Sequence, residues 1–272
     1  MKRFSRSRIQ RTNPYHIRYS QNFIKTRRLA VEIVRLCHFQ KTDVVIEIGP
    51  GKGALTEHII NHCGKLLAIE KDKDLHIKLS ESFSEQSNIE FINQDFLKFQ
   101  LPLNKNYKVV GNIPFALTSE IFRKLLEAPN PPIEITLIIQ REAALRLTGS
   151  RNSENLFSMR YKPWFESRVI MHLHKSDFYP IPSVEVSVIN IKKREPPIIP
   201  KNSKAEYLKF LTYCFTSWKQ DIRHSLKNFF TYKQLVIISR NNGINLNKRP
   251  TEIKFEEWIE LFEVYLKFGR KE

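Results

Sequence analysis

The sequence predicts an α/β protein, a mostly parallel sheet with helices on both faces, followed by a small C-terminal all-helical domain. Three observations carry this. Short β-branched runs alternate with stretches whose apolar residues recur at helical spacing, as strands joined by crossover helices do. A glycine-rich turn follows the first of those runs. Beyond the proline-rich break Glu195-Pro-Pro-Ile-Ile-Pro200, no strand pattern as clear as those upstream returns.

In chain order, Leu29, Ile33, Val34 and Leu36 predict a helix over 26–37. Asp43 to Gly49 is β-branched and ends in the glycine turn, and Leu55, Ile59 and Ile60 suggest the next helix. Residues 65–70, 89–93, 107–111 and 133–140 read as further strands. Helices are expected over 73–83, 119–126 and 141–148, and late strands near 165–173 and 183–191. After the break, 204–215, 221–229, 233–240 and 255–268 read as helices. The expected division is an N-terminal arm over 1–18, an α/β domain over 19–194, a linker over 195–200 and a helical domain over 201–272.

The 272 residues include 45 Lys and Arg against 28 Asp and Glu, a net charge of +17. With 41% hydrophobic content the chain can bury a core, which excludes a disordered polyelectrolyte. The charge is unevenly placed. Residues 1–18 hold six bases and no acid, 19–191 a net +3, and 192–272 a net +8. A near-neutral centre with basic ends suits a reaction domain carried to a polyanion, and nucleic acid is the commonest one. Arg3, Arg6, Arg8 and Arg11 of the arm are candidate RNA contacts. No apolar stretch of membrane-spanning length follows, and no apolar segment backs the basic N-terminus, so the expectation is a cytoplasmic protein with no membrane partner. Cys37, Cys63 and Cys214 lie far apart, which argues against a disulfide framework and a metal site.

Glu47-Ile-Gly49-Pro-Gly51-Lys-Gly53 stands where a strand turns into a helix, and glycines there let backbone approach a ligand. Glu70 ends the next strand, where a carboxylate can accept from both ribose hydroxyls, and Asp95 after the third strand can accept from an adenine amino group. The three together suit an adenosine. NAD fits less well, because the third glycine follows the second too closely and Pro50 removes an N–H that a pyrophosphate would use. S-adenosylmethionine, with no phosphate, fits better.

Gly111-Asn112-Ile113-Pro114-Phe115 follows the fourth strand on the same sheet edge. It suits methyl transfer to an exocyclic amine. The N6 lone pair of adenine is delocalised into its ring, so the site must accept hydrogen bonds from the N6 protons. The Asn112 side-chain oxygen and the main-chain oxygen of Ile113 or Pro114 are candidate acceptors, and Phe115 a stacking partner.

With Tyr19-Ser20-Gln21-Asn22-Phe23-Ile24, the segment Glu47 to Thr56, Glu70, Gln94-Asp95-Phe96, Asn112 to Phe115 and Phe178-Tyr-Pro180-Ile-Pro182-Ser-Val184, the chain resembles the rRNA adenine N6-methyltransferases, most closely the erythromycin-resistance branch that modifies 23S rRNA. The resemblance implies a class I S-adenosylmethionine methyltransferase (Rossmann-like) fold and dimethylation of one adenine, giving macrolide, lincosamide and streptogramin B resistance. It implies a cofactor set of Gln21, Asn22, Ile24, Gly49, Gly51, Glu70, Lys71, Asp95, Phe96 and Asn112. Asn112, Ile113, Pro114 and Phe115 would hold the target base, with Phe178 near its other face. Arg146, Arg151 and, in the helical part, Arg223 would meet RNA.

The partner expected is ribosomal RNA before full subunit assembly, and a monomer is the default. Two departures stand out: many relatives have Tyr where Phe115 stands, and the helical part matches weakly. Two other readings stay open, a 16S rRNA dimethyladenosine transferase, whose branch usually has Asn-Leu-Pro-Tyr at 112–115, and a non-catalytic RNA-binding or transcription factor on the same fold.

Overall fold

The computed structural model describes residues 22–149, 153–216 and 220–269. Its strands are β1 (Phe23–Ile24), β2 (Val44–Ile48), β3 (Lys65–Glu70), β4 (Ile89–Asn93), β5 (Lys108–Asn112), β6 (Glu134–Gln140), β7 (Phe165–Leu173), β8 (Phe178–Tyr179) and β9 (Val186–Lys193). Seven of them form one sheet in the order β4-β3-β2-β5-β6-β9-β7. The first five are parallel, and β9 runs antiparallel to both β6 and β7. The order reverses between β2 and β5, and a ligand crevice opens at the carboxyl ends of the strands at such a point.

The helices are α1 (Arg27–Leu36), α2 (Thr56–Ile59), α3 (Lys73–Ser82), α4 (Thr118–Leu126), α5 (Arg141–Thr148), α6 (Leu156–Tyr161), α7 (Lys204–Thr216), α8 (Ile222–Leu226), α9 (Tyr232–Asn242) and α10 (Phe255–Phe268). Alternate residues of each central strand enter different cores, because successive side chains leave opposite faces of a strand. Val45, Leu66, Val110, Ile138 and Val188 pack with Leu29, Ile33 and Val34 of α1 and Ile59 of α2. Ile46, Ile69, Val109, Leu137 and Ile189 pack with Ile121, Phe122 and Leu125 of α4. Both faces are covered, which is why these strands are apolar at nearly every position.

The second core is continuous with the C-terminal helices through Met159, Trp164 and Tyr207 to Phe210, Trp258 and Phe262. The Tyr207 hydroxyl donates to the Met159 main-chain oxygen at 3.0 Å, and its ring meets Trp164 edge-on at 5.7 Å. The proline-rich segment joins in, with Ile199 buried. Among the described residues no helix is long and apolar enough to cross a membrane.

Most expected elements stand within two or three residues of their expected bounds. The exceptions are short. The helix expected around Leu55–Ile60 is a single turn, and that over 221–229 spans only Ile222–Leu226. Helix α6 and the paired strands β1 and β8 have no counterpart in the sequence reading. Six residues make less than two turns of a helical pattern, and two-residue strands show no alternation at all. Only the partner across space makes Phe23–Ile24 a strand, with Phe23 opposite Tyr179 and Ile24 opposite Phe178.

Candidate cofactor and adenine site

The residues singled out at the ends of β2, β3, β4 and β5 surround one cavity of about 340 Å³. Asn22 and Ile24, Gly49 and Gly51, Glu70 and Lys71, Asp95 and Phe96, and Asn112 to Phe115 all line it. Parallel pairing explains this convergence, since it brings the strands' carboxyl ends to one edge.

The glycine turn is tied to β3 at two points. The Gly49 N–H donates to the Ile69 oxygen at 3.0 Å, and the Gly51 N–H to Glu70 Oε2, also at 3.0 Å. Gly51 has φ +62°, and a Cβ there would lie 2.9 Å from the Phe23 ring, so this position needs glycine for both torsion and space. The other Glu70 oxygen accepts from the Asp72 N–H at 2.9 Å. Glu70 is only 1% exposed, and burial holds its carboxyl above the usual carboxylate range despite these amide donors. Glu70 lines the cavity with amide donors on both of its oxygens.

Asp95 behaves oppositely. Partial burial opposes its charge, but the Lys71 ammonium at 2.8 Å and the Leu97 N–H at 2.9 Å outweigh it, and its carboxyl lies below the usual range. Asp95 also caps the 3-10 turn Phe96–Lys98. Lys124 of α4 braces that turn from below, donating to the Leu97 oxygen at 3.1 Å and the Phe99 oxygen at 2.6 Å.

At the end of β5 the Asn112 amide nitrogen donates to the Asn22 main-chain oxygen at 2.5 Å. A carbonyl only accepts, so this bond fixes which way the amide faces and leaves Asn112 Oδ1 as an acceptor. The Pro114 oxygen already accepts from the Leu117 N–H at 2.9 Å. Phe115 is half-buried on the cavity wall.

One expectation changes. Phe178 is fully buried and does not line the cavity; its ring packs in the core with Leu173, Val186 and Val188. It is opposite Ile24 and shares that face of the ribbon of β1 and β8, but its ring is buried in the core that Ile24 packs against. Of the cavity residues to which the sequence reading gave no role, three stand out. Phe23 lines the cavity from β1, with Lys52 Nζ 5.0 Å from its ring centroid. Leu97 adds apolar surface beside Phe96. Glu47, buried, accepts from the Thr56 hydroxyl at 2.8 Å, and burial raises its carboxyl to about 8. Glu47 stood in the quoted motif, but nothing in its spacing signals a protonated acid.

Of the expected RNA contacts, Arg146 is exposed with its guanidinium 5.4 Å from the Phe157 ring, and Arg223 is exposed and donates to Asn247 Oδ1 at 3.1 Å. Gln21, Arg3, Arg6, Arg8, Arg11 and Arg151 lie outside the described residues.

The model of the ribosomal RNA adenine dimethylase family matches residues 12–267. The chain belongs to that family. Among curated dimethylase relatives, it is 32% identical over 251 residues to ribosomal RNA small subunit methyltransferase A of Mycoplasmopsis pulmonis, covering 90% of this chain and 96% of the relative. It is 30% identical over 243 residues to an rRNA adenine N-6-methyltransferase of Bacteroides fragilis, covering 89% and 90%. Among solved structures, the 23S rRNA methyltransferase ErmE aligns with a TM-score of 0.82 at 27% identity, over 89% of this chain and 98% of that one. A dimethyladenosine transferase from Plasmodium falciparum, at 18% identity and a TM-score of 0.77, shares the fold. The chain is therefore an S-adenosylmethionine-dependent rRNA adenine N6-methyltransferase.

The cavity fits that cofactor. A Cβ built on Gly49 meets no protein atom within 4 Å, so the space beside the turn is open. Carboxylates stand where ribose hydroxyls and an adenine amine would need acceptors, and Phe96 and Leu97 offer apolar walls to the ring.

Proposed function

We propose that the protein dimethylates N6 of one adenine in 23S rRNA, and that this confers macrolide, lincosamide and streptogramin B resistance. The observation that carries the chemistry is the Asn112–Asn22 hydrogen bond, which engages the amide nitrogen and leaves Asn112 Oδ1 as the acceptor for an incoming amine. Accepting an N6 proton there, the oxygen draws the nitrogen lone pair out of the ring and toward a more tetrahedral geometry. Phe115 holds the base by stacking. S-adenosylmethionine supplies an electrophilic methyl group on a sulfonium. Asn112 holds the N6 proton without removing it, since the nitrogen becomes strongly acidic once alkylated and releases its proton to water. Positioning then supplies most of the rate.

In this reading Asn22, Ile24, Gly49, Gly51, Glu70, Lys71, Asp95 and Phe96 hold the cofactor, together with Gln21. Arg146, Arg151, Arg223 and the basic arm carry the RNA, and residues 201–272 act as its helical platform. The 23S target is supported by Ile113 and Phe115 in the Asn-Ile-Pro-Phe element and by the likeness to ErmE. A 16S target is the second reading, favoured by the 32% identity to the small-subunit methyltransferase of Mycoplasmopsis pulmonis. Expression in a macrolide-sensitive bacterium, with primer extension on both rRNAs, separates the two. A stop in 23S rRNA together with raised macrolide tolerance is expected, and a stop in 16S rRNA alone would reject the 23S assignment.

A further inference from the structure

Tyr179 is 65% exposed, although it stands in the ribbon that closes the cavity. Directly opposed residues of an antiparallel pair project from the same face. Tyr179 is opposite Phe23, so its side chain leaves the ribbon on the side of the ring that lines the cavity. Its neighbour in sequence, Phe178, points the other way and is fully buried. The ribbon thus anchors one aromatic in the core and exposes the next on the face from which Phe23 reaches the cavity wall.

The surroundings of that ring match one kind of ligand. Ile181, two residues on, is 63% exposed, extending the apolar surface. Exposed lysines stand on the same ribbon and its neighbours: Lys25 ends the ribbon with its N–H on the Asp177 oxygen, Lys52 sits over Phe23, and Lys175 braces the following turn through the Ser183 oxygen. An aromatic platform among cations is how proteins hold unpaired nucleotides, the ring taking the base and the ammonium groups the phosphates. An adenine inside the cavity brings a flanking nucleotide to this face, because the chain on either side must leave through the mouth.

We propose that Tyr179 is a stacking platform for the nucleotide next to the target adenine in rRNA, so that the ribbon of β1 and β8 closes the cofactor cavity and also grips the extruded strand. The inference rests on the assignment of Asn112 and Phe115 as the target-base site. Stacking needs the ring and not the hydroxyl, so Phe at position 179 serves as well as Tyr.

The test uses full-length enzyme and an RNA stem-loop around the adenine mapped by primer extension. Tyr179→Ala is expected to lower kcat/KM by about tenfold or more, with cofactor affinity unchanged by calorimetry and Tyr179→Phe close to wild type. An abasic site at the stacked flanking position should lower wild-type kcat/KM to a similar degree and add little in Tyr179→Ala. If the two losses multiply at both flanking positions, or if Tyr179→Phe is as impaired as Tyr179→Ala, stacking by Tyr179 is overturned while the target-base site stands. If no adenine in either rRNA is methylated, both fall together.

Discussion

The side-chain amide of Asn112 and the main-chain oxygen of Asn22, ninety residues apart in sequence, meet at 2.5 Å. This bond joins the end of β5 to the segment that enters β1, so the proposed amine acceptor is oriented by the strand that closes the cavity. Asn112→Ala should lower methyl transfer by about a hundredfold or more, the usual effect of deleting one preorganised charge-stabilising group. Cofactor affinity should fall by no more than about tenfold, the worth of one hydrogen bond to the strap. Single-turnover transfer and calorimetry measure the two, and equal losses in both would remove Asn112 from the chemistry.

Glu47 predicts a pH dependence. Its carboxyl is raised from 4.5 to about 8 by burial, with the Thr56 hydroxyl opposing and the nearby Glu70 reinforcing the shift. A raised acid favours the folded state fully below about pH 4.5, and that contribution is lost as pH rises through about 8. Glu47→Gln keeps an acceptor for Thr56 and never ionises. Its Tm relative to wild type should therefore improve between pH 5 and pH 8. A difference that stays constant across that range would mean Glu47 ionises normally.

Lys124 supports the turn that carries Asp95, Phe96 and Leu97. Desolvation lowers its ammonium below the usual lysine range, with Asp95 opposing, and its Nζ donates to two main-chain oxygens. Lys124→Met keeps the aliphatic stem and removes both donors. Cofactor affinity is expected to drop by about tenfold, equivalent to about 1.4 kcal/mol and in the range of hydrogen bonds to charged groups. Unchanged affinity with lowered Tm would make the lysine purely structural.

The aromatic core couples the C-terminal helices to the sheet. Trp258 is fully buried, stacks on Phe215 at 5.4 Å and donates its indole N–H to the Pro250 oxygen at 3.3 Å. Trp258→Ala should destabilise by about 3 to 5 kcal/mol. Because one core runs through Trp164 and Tyr207 into the α/β part, the loss should appear as a lower Tm of a single transition. Tyr207→Phe, losing only the bond to Met159, should cost about 1 kcal/mol. Two separate melting transitions would contradict this coupling.

The alternation of strands and helices, the glycine turn, Glu70, Asp95 and the Asn112–Phe115 element were all legible in the amino-acid order. Each rests on local chemistry: β-branched runs, helical spacing, glycine torsions and a proline. Parallel pairing then makes their convergence nearly automatic, since every such motif follows a strand and all strand ends share one edge. Tertiary structure alone decided the rest. The pairing of Phe23–Ile24 with Phe178–Tyr179 gives no local signal, and it leaves Phe178 buried in the core and Tyr179 exposed. The orientation of the Asn112 amide, the Lys124 brace and the raised carboxyl of Glu47 likewise depend on groups that packing brings from other elements. Periodicity specifies what an element is, whereas hydrogen-bond partners and burial are properties of the packed whole, and in this protein those set which atom of Asn112 is bonded to Asn22 and which is left as an acceptor.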